Sequence, residues 1–143
     1  MSCVLRLSGT EFNVDDFVAI SDLHTYKIWH KGEPLFRKSP EKGLMIRSGL
    51  TAMTSNAGFE EYEKQVEETI EYLKENKTKL SHILTTKEIE YATLDFGINL
   101  WPDKLRSGIA NTRFPNELLR LAGELGLSLE LSEYLHYGED EPE

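Results

Sequence analysis

One cysteine, Cys3, occurs in 143 residues. A lone thiol closes no disulfide within its own chain and builds no thiolate metal cluster, so a disulfide scaffold, a zinc ribbon and an iron–sulfur protein are excluded. The same scarcity agrees with a reducing compartment, and a cytoplasmic location is expected. No window approaches 18 consecutive apolar residues, so neither a transmembrane helix nor a membrane partner is expected. Residues 1–6 lack the basic stretch and long apolar run of a signal peptide, and the Asn76-Lys77-Thr78 glycosylation triplet therefore carries no weight. Runs of Lys and Arg are also missing. A nucleic acid is a polyanion and needs a basic surface, so nucleic acid is not expected as a partner.

What is present is an ordinary globular mixture. Hydrophobic residues make up 39% and charged residues 29%, which with this length predicts one α+β domain over 1–137. Lys and Arg number 16 against 25 Asp and Glu, a net charge of −9. Four of those acids, Glu139, Asp140, Glu141 and Glu143, fall in an acidic stretch, 138–143, expected to be a disordered tail. About −5 remains on the body. Acidic surfaces steer basic partners, so a basic protein partner fits this charge, as solubility alone also does.

Hydrophobic spacing places the elements. Val4 to Leu7 read as a strand closed by Ser8-Gly9-Thr10. Asn13 is a helix N-cap with Asp15 and Asp16 in the first turn, opening a short helix through about Leu23. A second strand is expected around Tyr26 to Lys31, turn chemistry at 31–34, a polar loop at 35–43, a strand at 43–48 and small polar residues at 51–58. Phe59, Tyr62, Val66, Ile70, Leu73, Leu80 and Ile83 recur at helical steps, predicting one long amphipathic helix from Phe59 that ends between Asn76 and Leu84. A strand region follows from Ile89 to Leu100, with Gly97 marking a bulge or an end, and then a loop over 103–113. Phe114-Pro115-Asn116 opens a helix that Gly126 caps, and Leu127, Leu129 and Leu131 alternate with polar residues in a last strand. This order predicts a two-layer α+β sandwich: a mostly antiparallel sheet with the two longer helices packed on one face.

No complete catalytic set stands out. Asp95-Phe96-Gly97 spells the kinase magnesium tripeptide, but the accompanying loops and the length of a kinase are missing. The histidines, His24, His30, His82 and His136, show no metal-ligand spacing, although His24 and His30 could meet across a turn. Cys3 is expected to be peripheral. The expected catalytic residues, metal ligands and cofactors are therefore none. Trp29, Lys31, Gly32, Arg47 and Trp101 are the candidate surface, because tryptophans beside cations anchor interfaces and anionic ligands.

Three stretches resemble a known family. Leu5, Gly9 and Phe12 give Leu-x-x-x-Gly-x-x-Phe, Trp29, Lys31 and Gly32 give a Trp-x-Lys-Gly turn, and Phe114 to Leu129 give a leucine-rich helix and strand followed by Tyr134. Together these resemble the bacterial domain of unknown function family four-two-seven-nine over residues 3–137. The Gly43-Leu44-Met45 stretch departs from it, since an aromatic residue is expected there. The resemblance implies a small cytoplasmic bacterial domain, some of whose members look like partners of toxin systems, and it carries over no catalytic residue.

The reading that follows is a non-enzymatic protein-binding module, immunity-type or regulatory, for which a homo-oligomer is compatible. The alternative is a small-ligand-binding protein or enzyme with a cleft near Trp29 and Trp101.

Overall fold

The computed structural model describes residues 2–137, so the expected acidic tail, 138–143, lies outside the described residues. Five strands form one sheet: β1 (Cys3–Gly9), β2 (Lys27–Trp29), β3 (Ser48–Ser55), β4 (Tyr91–Leu100) and β5 (Ser128–Leu135). Their order is β2-β3-β1-β4-β5. Three of the four pairings are antiparallel, and β4 with β5 is parallel. A parallel pair needs a crossover, and the segment between these two strands supplies one through α5 (Asn116–Glu124). The other helices are α1 (Val14–Ser21), α2 (Tyr62–Glu75), α3 (Lys77–Leu80) and α4 (His82–Thr85). The expected α+β architecture is what forms. α2 lies against β3 and β4, and α5 packs beside it and against β5.

Alternation along the strands sets the two faces of the sheet. Leu5, Leu7, Leu50, Ala52, Leu94 and Phe96 point to the helices and are buried. Around Phe96 the rings of Tyr62 and Phe114 meet edge to face, with centroids 6.2 and 5.5 Å away. Arg6, Thr51, Thr93 and Asp95 alternate with the core residues on the opposite face. Asp95 is buried there, bonded by Arg6 Nη1 at 2.6 Å and Ser132 Oγ at 2.6 Å. That assigns the Asp-Phe-Gly tripeptide a structural role. Asp95 joins three strands, Phe96 fills the core, and Gly97 leaves room for the Phe59 ring, which an added Cβ would meet at 2.5 Å. Gly97 is neither bulge nor end, since β4 runs on to Leu100.

Several helix ends match their sequence signals. Asn13 Oδ1 accepts from the Asp16 N–H at 3.1 Å. Gly126, at φ 72°, follows α5, where the Leu127 N–H reaches the Ala122 carbonyl and the Gly126 N–H that of Gly123. These two bonds satisfy carbonyls the helix would leave open.

Two element boundaries and one burial differ from expectation. The strand expected at 43–48 lies at 48–55, through the segment read as small and polar. Those small residues suit a strand roofed by α2: Thr54 shares a 2.9 Å hydroxyl–hydroxyl bond with Thr69 of that helix. The expected long helix is three pieces, breaking at Asn76 (φ −105°, ψ 14°) and again at Ser81, and Phe59 precedes it. Cys3 is not peripheral but fully buried, and burial pushes its thiol up to about 11.

Candidate functional site

β2 and β3 are joined by an excursion over residues 30–47 that doubles back on itself. Gly32 N–H bonds the Met45 carbonyl, Met45 N–H the Glu33 carbonyl, and Leu35 N–H the Gly43 carbonyl. A single 3₁₀ turn at Pro40–Lys42 reverses the chain. The polar loop expected at 35–43 is thus the far end of a projecting hairpin, and its length arises because the Lys31-Gly32-Glu33-Pro34 turn does not close it. Gly32 sits at φ 90°, a conformation that glycine reaches without steric cost.

Leu35 is 44% exposed, Phe36 57%, Leu44 55% and Ile46 69%, all within residues 35–46. Singly exposed apolar residues are ordinary, but four on one short projection are a concentration. Cations accompany them. Residues 27–47 hold Lys27, Lys31, Arg37, Lys38, Lys42 and Arg47 against Glu33 and Glu41, so this segment is four positive in a chain of −9. Lys42 Nζ stands 5.7 Å from the Phe36 ring centroid. The signal was present in the sequence as a local reversal of charge, which whole-chain totals conceal.

Four of the five candidate residues frame the base of this hairpin. Trp29 closes β2 opposite Gly49. Lys31 donates its backbone N–H to Ser48 Oγ at 2.9 Å, and its ammonium lies 3.4 Å from Glu11. Arg47 stacks 4.6 Å above the Tyr91 ring and reaches Glu90 at 3.3 Å. Glu90 is itself anchored by the N–H and hydroxyl of Thr10, which hold its carboxyl below the usual range, with Arg47 adding to the effect. Trp101 is elsewhere. It stacks on His136, centroids 4.5 Å apart, beyond the end of β4 and beside β5. Since β3 and β4 run in the same direction, Trp29 near the start of β3 and Trp101 past the end of β4 occupy opposite corners of the sheet. The structure does not bring the two tryptophans to one cleft.

Sequence spacing missed the partners of His30. Its Nδ1 faces Glu33 Oε1 at 2.6 Å and its Nε2 faces Asp15 Oδ2 at 2.9 Å. Both acceptors are carboxylates, so only a doubly protonated ring donates to both at once. The carboxylates lie on opposite edges of the ring, which gives no common point for a metal ion. No group of three or more His, Cys, Asp or Glu among the described residues could hold one. The Asp15 bond, then the Glu33 bond, raise the His30 pKa above its ordinary value. A raised folded-state pKa stabilises below the unfolded value near 6.5, and the contribution disappears as pH climbs through the folded value. His30→Asn is therefore expected to destabilise the protein more at pH 6 than at pH 9, as read by urea denaturation at both. Equal effects at the two values would show that the His30 bonds do not depend on a protonated ring.

A shallow concavity of about 300 Å³ lies between the hairpin base and the β1–α1 turn, lined by Thr10, Asn13, Asp15, His30, Lys31 and Ser48. Its histidine has no free ring nitrogen. The buried thiol of Cys3 is far from the thiolate form that a nucleophile requires. No helix among the described residues is long and apolar enough to cross a membrane. No family model matches the chain, and no curated protein or solved structure does either.

Proposed function

We propose that this chain is a non-enzymatic protein-binding module that docks through the 30–47 hairpin. One observation carries the reading: Leu35, Phe36, Leu44 and Ile46 are all exposed on one hairpin that also holds Arg37, Lys38 and Lys42, with Lys42 over the Phe36 ring, on a chain that is otherwise acidic. Interface centres combine aromatic and aliphatic anchors with arginine, and the rim supplies charge. The partner surface that suits it is apolar with an acidic rim. A basic partner, the expectation from net charge, would instead meet the glutamates of α2. The immunity-type or regulatory role is what the likeness of Trp29, Lys31 and Gly32 to the domain of unknown function family four-two-seven-nine adds.

A photo-crosslinking amino acid placed at Phe36 of the full chain tests this in the cell. It is expected to yield a discrete protein adduct that the same probe at Ile20, also exposed, does not give. No adduct, or equal adducts at both positions, would remove the hairpin as the docking surface.

A further inference from the structure

We infer that the hairpin's first partner is a second copy of this chain, docked in the acid-rimmed groove beside α2. The inference rests on the hairpin being a docking surface and names its occupant. The groove lies between α2 and the segment leading into α5 and measures about 500 Å³. Tyr62, Val66, Ile70 and Pro115 form its apolar lining. Glu63 and Glu67 stand on its edge, with Arg113 as the opposing charge. A second concavity of about 680 Å³ shares Tyr62, Glu63 and Glu67 and adds Glu60, Glu61 and Lys64. The groove is thus apolar below and mainly acidic around it.

The hairpin is its complement: apolar at Leu35, Phe36, Leu44 and Ile46, cationic at Arg37, Lys38 and Lys42. Opposite charge orients such an encounter, and desolvation of the apolar side chains holds it. Between two molecules of net −9, general repulsion opposes association, so the contact depends on this local pairing. The two surfaces differ, so the contact is hairpin to groove. It repeats reciprocally in a two-fold dimer or continues from copy to copy.

Sedimentation velocity of the full chain decides it. The weight-average sedimentation coefficient is expected to rise with concentration at low salt, and the rise to shrink in 0.5 M NaCl, where charges are screened within a few ångströms. Phe36→Asp, and separately the double variant Glu63→Lys with Glu67→Lys, are expected to weaken association at least tenfold. An equimolar mixture of the two variants is expected to associate again, because each keeps the surface the other lost. Should Phe36→Asp fail to fold by circular dichroism, Arg37→Glu with Lys38→Glu replaces it. A wild type that stays monomeric throughout, or a mixture no more associated than its components, overturns the inference. With a monomeric wild type, a Phe36 crosslink to a different protein would leave the docking reading standing. Co-sedimentation of the monomer with phosphatidylserine vesicles, lost in Phe36→Asp, would overturn both.

Discussion

Phe96→Ala is expected to destabilise the protein by about 3–5 kcal/mol, the range for emptying a buried aromatic position. Phe96 is fully buried on β4, between β1 and β5, and its ring meets those of Tyr62 and Phe114 edge to face. Tyr62 belongs to α2, and Phe114 leads into α5, so truncating Phe96 leaves both elements facing a void. A domain of this size is stable by about 5–15 kcal/mol, which makes the loss at least about a fifth of the total. Urea denaturation followed by circular dichroism reads it as a lower midpoint at unchanged slope. Phe96→Leu keeps most of the volume and is expected to cost clearly less. A loss under 1 kcal/mol for the alanine variant would contradict the packing described for this cluster.

Gly49→Ala is expected to be the most disruptive change of a single methyl group near the hairpin. A Cβ there would stand 2.5 Å from the Leu7 carbonyl oxygen and closer still to the Trp29 ring. The carbonyl is backbone of the central strand and yields little, so Trp29 must leave its seat. Overpacking of this kind costs about 1–3 kcal/mol. In a Trp101→Phe background, Trp29 is the one remaining tryptophan, and its emission is expected to shift to the red as the ring enters water. Gly32→Ala provides the contrast, because an added Cβ meets nothing there and only the positive φ is strained. That variant is expected to leave the Trp29 spectrum unchanged. An unshifted spectrum in Gly49→Ala would show that Trp29 does not rest on this glycine.

Local chemistry was legible where a local cause decides the structure. The Asn13 cap, the Gly126 turn and the alternation of β5 depend on neighbours within a few residues, and each was readable. β3 was not, because its composition answers to other elements: Gly49 to the Trp29 ring and Thr54 to Thr69. The clamp on His30 joins residues 15 apart through the docking of α1, a distance at which spacing carries no signal. Trp29, Lys31, Gly32 and Arg47 were found by residue type and do share one end of the sheet. Trp101, chosen by the same criterion, belongs to the opposite corner, since residue type alone says nothing of strand order.

The position of β1 bears on how the chain is made. It is the central strand, paired on one side with β3 and on the other with β4, although it precedes both in sequence. Its second partner is synthesised about 90 residues later, roughly 5–20 s at ordinary ribosomal rates. Throughout that interval Cys3, Leu5 and Leu7 have no completed core to enter. Folding therefore closes late, through pairings distant in sequence, and the apolar side chains of β1 stay open to aggregation until β4 emerges.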